Sequence, residues 1–309
     1  MNAPITIAGS LNMDFVVQVE RLPQPGETVL GGGFVTLPGG KGANQACAAG
    51  RLGGRVRMLG RVGDDVFGRQ LVESLARAGV DTSTVRVSAA TASGVALIFV
   101  ETGGQNQIVV ASGANGLLSP EDVEMELAAG EGLLLVQLET PLATTERAVA
   151  LASRRGMTVV LDPAPARPLS DALLAQVSLL TPNESEAMVL LERRGASVSL
   201  AEAPEIARAL LKRGPRGVIL KLGEKGAFLA DGSGGQHFPG FEVTAVDATA
   251  AGDAFAGALG VALAEGRPIA EAIPFANAAA ALSVTRLGAQ ASMPSRPEVD
   301  ALLASRPRS

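Results

Sequence analysis

The sequence predicts an α/β domain whose mostly parallel sheet is covered by helices on both faces and carries a small inserted β-sheet. Short runs rich in Val and Leu alternate with amphipathic stretches, a pattern typical of strands buried on both faces. Two segments contain strand-like runs with no helix between them, which indicates hairpins. The chain has 309 residues, 47% of them hydrophobic. A chain of this length and composition can bury a large core.

The elements follow from these patterns in order along the chain. Continuous apolar runs predict strands of the large sheet at residues 5–8, 56–59, 133–138, 158–161, 177–180 and 218–222. Amphipathic stretches predict helices over 68–78, 142–154 and 204–212. Runs at 15–19, 28–37, 95–100 and 107–111 predict the inserted sheet. We expect one domain over 1–309, in which segments 12–38 and 93–112 form a lid.

Composition argues against several classes of function. No apolar run reaches the roughly 18 residues needed to cross a bilayer. The N-terminus has no basic region before its apolar stretch, so we expect a cytoplasmic protein. A net charge of −5, without Trp or Tyr, argues against a nucleic-acid partner. Cys47 is the single cysteine and predicts a buried helical thiol, and the single histidine, His237, lacks partners for a metal site.

Asp253 is the strongest candidate for a catalytic residue. It follows three small residues, Ala250, Ala251 and Gly252, at the predicted start of a long Ala-rich helix. The first N–H groups of a helix have no intrahelical acceptor and lie at the positive end of its dipole, so this terminus suits a phosphate. A carboxylate gains little from phosphate itself, but it can remove a proton from a hydroxyl that attacks the phosphorus. The pattern favours a general base over a carboxylate that only interacts with the dipole.

Two polar segments near the N-terminus are further candidates. Asn12 and Asp14 follow the first strand, where ligands bind in parallel sheets, and they lie on one side of an extended chain. They suit several hydroxyl groups, and an ordinary polar turn explains them equally well. The Gly-rich turn over 38–46 contains Lys41 and Asn44, but it has neither a Walker A pattern nor a dinucleotide fingerprint. It predicts exposed backbone donors at the start of a helix.

Three candidates in the second half of the chain each have a plain structural alternative. Asn183 and Glu186 have the spacing of a capping box, and Glu186 could instead hold water on Mg²⁺. The segment 221–226 predicts either an ordinary turn between two strands or a backbone loop beside a nucleotide. Asn277 lies in an Ala-rich helix, where it is either solvated or in contact with a ligand.

Together these motifs resemble the phosphofructokinase-B family of carbohydrate kinases, over about residues 5–304. The run over 39–46 resembles the family's N-terminal signature, and the run over 247–255 resembles its C-terminal signature. Residues 183–186 resemble the N-x-x-E element between them. The resemblance implies a three-layer, doubly wound α/β domain whose β-lid also joins two subunits in a homodimer. It also implies ATP-dependent phosphorylation of the primary hydroxyl of a sugar.

The resemblance implies roles for individual residues as well. Asp253 resembles the catalytic base, and the anion hole corresponds to Ala250, Ala251 and Gly252. The sugar-binding groups correspond to Asn12, Asp14, Gly39, Gly40, Lys41, Asn44 and Glu139. The ATP contacts correspond to Asn183, Lys221, Leu222, Gly223, Glu224, Lys225, Gly226, Gly252 and Asn277.

Two metal ions and a substrate class are implied in the same way. Glu186 would hold Mg²⁺ through water. K⁺ would lie beside the anion hole, with some ligands supplied by carbonyl oxygens, on Asp247, Thr249, Ser283, Arg286, Gly288 and Ser292. Ribose, phosphorylated at O5, is the favoured acceptor, and fructose and adenosine stay open. A sensor of sugar or nucleotide on the same fold, without catalysis, is the alternative from another class.

Overall fold

Nine strands form the large sheet in the computed structural model, which describes residues 2–101, 103, 106–127 and 131–305. The strands of both sheets are β1 (Ile5–Ala8), β2 (Asn12–Val19), β3 (Phe34–Gly39), β4 (Val56–Gly63), β5 (Val85–Ser88), β6 (Gly94–Glu101), β7 (Asn106–Ala111), β8 (Leu133–Val136), β9 (Thr158–Leu161), β10 (Leu179–Leu180), β11 (Gly217–Lys221), β12 (Ala227–Asp231) and β13 (Gly234–Phe238). The large sheet has the order β13-β12-β11-β10-β9-β8-β1-β4-β5. Its pairs are parallel except β11–β12 and β12–β13, which confirms the predicted mostly parallel sheet.

Helices cover this sheet on both faces. They are α1 (Lys41–Arg51), α2 (Val66–Arg77), α3 (Pro120–Leu127), α4 (Leu142–Arg154), α5 (Asp171–Leu174), α6 (Glu184–Leu190), α7 (Ala203–Leu211), α8 (Ala251–Ala264), α9 (Ile269–Ser283) and α10 (Arg296–Ala304). Ile5 and Ile7 of β1 belong to one buried cluster with α1, α8 and α9, whereas Ala8 belongs to a second cluster with α4 and α7. Alternate residues of a strand therefore face two cores, as the predicted three layers require.

The four strands of the small sheet have the order β3-β2-β6-β7. Two antiparallel hairpins, β2 with β3 and β6 with β7, are joined by parallel pairing of β2 with β6, and this confirms the inserted sheet. Residues 102, 104 and 105 of the predicted lid segment 93–112 lie outside the described residues. The predicted strand over 28–37 is wrong in its first half, because β3 begins at Phe34. Three consecutive glycines over 31–33, which disfavour a strand, explain the difference.

Two further details connect sequence to structure. The predicted strand over 177–180 shortens to β10, because the N–H of Val177 donates to the carbonyl of Leu174 and so continues the turn that ends α5.

Cys47 is buried in α1, as predicted, and burial raises the pKa of its thiol to about 11. No helix in the described part of the chain is long and apolar enough to cross a membrane.

Candidate active site

The start of α8 presents backbone donors at the ends of the central strands. Its N-cap, Ala250, has a left-handed backbone with φ of 60° and ψ of 15°, which is uncommon for a residue with a Cβ atom. The N–H of Ala251 donates to the carbonyl of Ala248 at 3.3 Å. The N–H groups of Gly252 and Asp253 have no acceptor within the helix. Of the three N–H groups at the start of α8, these two are the better placed to bind an anion.

The Asp253 carboxylate is held by two amides from α1. Asn44 Nδ2 donates to its Oδ2 at 3.0 Å, and Gln45 Nε2 donates to its Oδ1 at 3.2 Å. Burial raises the pKa of Asp253 to about 6, although the nearby Lys41 ammonium lowers it. The group is therefore largely ionised at neutral pH and is still a stronger base than an ordinary carboxylate. Asn44 Oδ1 is buried without a hydrogen-bond partner among the described residues, so it can accept from a ligand hydroxyl.

Small residues let α1 approach α8 closely enough for these contacts. A Cβ atom placed on Gly257 of α8 would lie 2.6 Å from the carbonyl oxygen of Gln45 and 2.8 Å from Cβ of Ala48. A larger side chain at Gly257 would separate the two helices and withdraw both amides from Asp253. The Ala- and Gly-rich faces of α1 and α8 are therefore needed to bring both amides to Asp253.

Two glycines fix the turn before α1 against β2. Gly40 has φ of 88°, a left-handed value, and a Cβ atom there would lie 2.7 Å from the backbone nitrogen of Asn12. A Cβ atom on Gly39 would lie 2.1 Å from Asp14 Oδ2. Both positions therefore require glycine for packing, because a side chain would collide with the Asp14 carboxylate or with the backbone of β2.

Glu139 holds the same turn from the other side. Its Oε2 accepts from the backbone N–H of Lys41 at 3.0 Å and from Ser10 Oγ at 2.5 Å. Burial lowers the pKa of the Lys41 ammonium, but the carboxylates of Asp253, Asp162 and Glu139 outweigh this effect and raise it overall. Lys41 therefore remains charged where the turn meets α8.

Asn12 and Asp14 are buried polar residues beside this turn, and we call the group of predicted sugar-binding residues around the turn the polar pocket. Asn12 is 2% exposed, and its Oδ1 accepts from Asn115 Nδ2 at 2.7 Å. Burial, followed by the charges of Glu139 and Asp253, raises the pKa of Asp14 to about 7. Such a site combines a carboxylate and an amide, which can bind several hydroxyl groups. The structure thus places the predicted sugar-binding residues next to one another, and their contact with a sugar stays a prediction.

A cavity of 960 Å³ opens on the other side of Asp253. The predicted ATP contacts that line it are Asn183, Lys221, Gly223, Glu224, Gly226, Gly252 and Asn277. Lys41 and Asp253 also line it, so the cavity and the polar pocket meet at these two side chains. Apolar side chains, which include Phe241, Val243 and Val284, form another part of the wall. A wall of this kind suits a flat nucleotide base.

Two of the predicted ATP contacts do not bring their side chains to the cavity. Leu222 is 2% exposed and belongs to the second buried cluster. Lys225 Nζ donates to Glu184 Oε1 at 3.4 Å and does not line the cavity. Asn277 does line it, and its Nδ2 donates to the carbonyl of Phe238 at 3.2 Å. Asn277 therefore also has a structural role, because it anchors the end of β13.

Asn183 and Glu186 form the predicted capping box at the start of α6. Asn183 Oδ1 accepts from the Glu186 N–H at 2.8 Å, and the Asn183 N–H donates to Glu186 Oε2 at 2.7 Å. Glu186 nevertheless lines the cavity, and burial raises its pKa. The capping interpretation is confirmed, and the carboxylate still lies where it can face a nucleotide.

A buried polar network links this cavity to Asp253, and sequence reasoning missed most of it. Lys221 Nζ donates to Asp162 Oδ1 at 2.8 Å. Gln45 Nε2, which also reaches Asp253, donates to Asp162 Oδ2 at 3.0 Å, and Gln137 Nε2 donates to Gln45 Oε1 at 2.5 Å. Asp162 directly follows β9, so its place at the carboxyl end of a central strand was the available signal.

The predicted potassium ligands lie on the loop before α8, at the end of α9 and on the segment that follows α9. Asp247 Oδ1 accepts from the Thr249 N–H at 2.9 Å, and its Oδ2 accepts from the Gly288 N–H at 2.8 Å. The Arg286 guanidinium pairs with Glu298, so only its carbonyl is available for a cation. The remaining two, Ser283 and Ser292, are buried, and each hydroxyl donates to a backbone carbonyl three residues earlier. Asp247 thus joins the two loops directly.

The chain is similar over most of its length to known carbohydrate kinases. A family profile described as pfkB family carbohydrate kinase matches residues 3–296. The ribokinase of Haemophilus influenzae is 42% identical over 301 residues, which cover 96% of this chain and 97% of that protein. The deoxyribokinase of Salmonella typhi is 37% identical and covers 94% of this chain and 95% of its own length. The structure of Arabidopsis thaliana ribokinase complexed with ribose and ATP is 34% identical, with a TM-score of 0.89, and covers 98% of this chain and 99% of that one.

Proposed function

This chain belongs to the pfkB family of carbohydrate kinases, and from that premise we propose that it transfers the γ-phosphoryl group of ATP to O5 of D-ribose. The main support for this proposal is the position of Asp253. Its carboxylate and the donors at the start of α8 lie where the polar pocket meets the large cavity. A base and an anion-binding helix terminus at one junction are what phosphoryl transfer to a hydroxyl needs.

The reaction follows from these positions. Asp253 accepts the proton of the sugar O5–H while that oxygen attacks the γ-phosphorus. A bond forms between O5 and phosphorus, the bond from phosphorus to the β,γ-bridging oxygen breaks, and ADP leaves with the electron pair. The N–H groups of Gly252 and Asp253 donate to the negative charge that develops on the transferred group. Asp253 then loses its proton to solvent.

ATP is expected to bind with Mg²⁺. Among the described residues no cluster of three or more His, Cys, Asp or Glu side chains could hold a metal ion. Mg²⁺ often binds through one or two carboxylates, several waters and the phosphates of the substrate, so a single carboxylate such as Glu186 on the cavity wall is sufficient. When bound, the ion would offset the charge of the phosphates.

A K⁺ ion fits the loop pair joined by Asp247. The Asp247 carboxylate joins the two loops close to the start of α8, and hard cations bind carboxylate and carbonyl oxygens. Asp247 is already held by the N–H groups of Thr249 and Gly288, and these bonds lower its pKa against the effect of burial. A bound K⁺ would fix both loops and thereby the left-handed turn at Ala250.

The small sheet is proposed as a lid that also joins two subunits. Its outer strand β7 exposes Ile108, Val109 and Val110, each about half exposed. Phe34 and Val35 of β3 are similarly exposed at the other edge. Exposed apolar side chains on both edge strands of one small sheet favour a protein–protein contact, and a second copy of the same sheet would cover them symmetrically.

Acceptor preference tests the proposed function directly. ADP release is measured with ribose, 2-deoxyribose, fructose, adenosine or no acceptor, each with K⁺ or with tetramethylammonium. We expect kcat/KM for ribose to exceed that for each other acceptor by at least about ten-fold, because a polar pocket loses paired groups when a hydroxyl is missing. We also expect the rate to rise with K⁺. Preference for 2-deoxyribose would reassign the acceptor, and ATP binding without acceptor-dependent release would indicate a sensor.

The pH dependence of kcat/KM for ribose is a second test. The pKa values of Asp253, about 6, and Asp14, about 7, are both raised by burial. The base must be ionised to accept a proton, and Asp14 accepts hydroxyl hydrogens best as a carboxylate. The rate should therefore rise with pH and level off above about 8, with a fall of at least about ten-fold for each pH unit below 6. A profile that is flat between pH 5 and pH 8 would contradict both roles.

A further inference from the structure

The predicted role of the 221–226 segment is contact with a nucleotide through its backbone. That role does not explain the position of the Lys221 side chain. Of the residues that line the cavity, only Lys41 and Lys221 are cationic, whereas six carboxylates line it. Lys41 lies at the sugar pocket, where its backbone N–H donates to Glu139. Lys221 is therefore the cation on the nucleotide side of the described cavity. A triphosphate that entered a cavity this acidic would need it.

The ammonium group of Lys221 lies directly beside the start of α8. A Cβ atom placed on Gly252 would lie 3.3 Å from Lys221 Nζ, so the ammonium is close to the helix N–H groups. The backbone of Lys221 is fixed as well, because its N–H donates to the carbonyl of Pro182 at 2.8 Å. Its side chain is 12% exposed, and the open part faces the cavity. A phosphoryl group bound at the helix terminus would meet this ammonium.

The Gln45 amide links the Asp253 carboxylate to Asp162, and Asp162 in turn binds the Lys221 ammonium. Asp162 accepts from Lys221 through Oδ1 and from Gln45 through Oδ2, and Gln45 Nε2 also donates to Asp253. The base and the ammonium thus approach the helix terminus from opposite ends of one buried network. We propose that Lys221, held by Asp162, contacts the phosphoryl group as it passes from ATP to the sugar and is a catalytic residue. This inference rests on the proposed kinase function of the same site.

The competing explanation is that Lys221 only neutralises the buried Asp162. Removing the lysine alone would leave an unpaired buried carboxylate and destabilise the fold, which would obscure the result. The test therefore compares Asp162→Asn with the double variant Asp162→Asn/Lys221→Met. Neither contains an unpaired buried carboxylate at this pair. The asparagine has one acceptor oxygen, which can accept from Lys221 in the single variant and from Gln45 in the double variant. Lys212→Met, which removes an exposed lysine, is the matched control.

Two measurements decide between the explanations. We expect kcat of the double variant to be about 10²-fold below that of Asp162→Asn, the size of effect found when one donor to a developing negative charge is removed. A difference of less than ten-fold would overturn the proposal. We also expect the double variant to bind a non-hydrolysable ATP analogue more weakly, relative to Asp162→Asn, and to bind ADP almost unchanged. If the double variant bound the ATP analogue and ADP more weakly to the same degree, Lys221 would contact the phosphates that ATP and ADP share. That result would also overturn the proposal.

The binding measurement separates this inference from the proposed function, because it needs no acceptor. If the unmodified protein releases no ADP with any sugar, the proposed function fails. A selective loss of affinity for the ATP analogue would still assign Lys221 to the terminal phosphate. If the protein is an active kinase and the two variants have similar kcat values, only the inference about Lys221 fails.

Discussion

Replacement of Asp253 by Asn is expected to lower kcat by at least about 10²-fold, and by as much as 10⁴-fold, because it removes the group that accepts the proton of the sugar hydroxyl. The change is nearly isosteric. The new amide would face donors from Asn44 and Gln45, but Asn44 can rotate so that its unpartnered Oδ1 accepts from it. Steady-state kinetics with ribose would measure kcat, and binding of a non-hydrolysable ATP analogue should stay within about three-fold.

Stability provides the control for this variant. Burial raises the folded-state pKa of Asp253 from 3.8 to about 6. Such a carboxyl contributes most to stability below pH 4, and that contribution is lost as the pH rises through 6. A neutral asparagine should therefore unfold at the same or a higher temperature at pH 8. Asp64→Asn, at an exposed carboxylate, should leave both kcat and stability unchanged. A kcat for Asp253→Asn within about three-fold of the original would show that another group is the base.

The fold was predictable because its signals are local. The runs of β1 and β9 matched the observed strands residue for residue, since a strand buried on both faces consists mostly of apolar and β-branched residues. The start of β3 was less predictable. Apolar and β-branched residues at 28–30 suggest a strand, and the three glycines that follow them exclude one.

The site was predictable only where a motif marks it. Asp253 and the turn at Gly40 have local patterns of small residues that follow from close backbone approach. Gln45 and Asp162 carry no such pattern, because they meet across 117 positions of the chain. The contact of Gln45 with Asp253 depends in turn on how closely α1 approaches α8, which is set by Gly257. Helix periodicity in an Ala-rich segment does not reveal that packing, so the network required the structure.

Removal of the Asp14 carboxylate is expected to have the second largest effect, on sugar binding. Asp14→Ala should lower kcat/KM for ribose by about 10²- to 10³-fold, because hydrogen bonds to a charged group contribute about 1.5–3 kcal/mol each and this carboxylate can accept more than one. The KM for ATP should stay within about three-fold, since Asp14 does not line the nucleotide cavity. Initial rates with each substrate varied in turn would give both values.

Asp14→Asn separates the loss of charge from the loss of volume. Burial, with the charges of Glu139 and Asp253, raises the folded-state pKa of Asp14 from 3.8 to about 7, so its contribution to stability is present below about pH 4 and is lost as the pH rises through 7. The asparagine variant should therefore be at least as stable as the original protein at pH 8, and this difference should vanish at pH 4, where both side chains are largely neutral. It should still bind ribose weakly, because an amide presents one oxygen where the carboxylate presents two. If both variants fold and have unchanged kcat/KM for ribose, Asp14 does not bind the sugar. The sugar would then have to bind elsewhere beside Asp253.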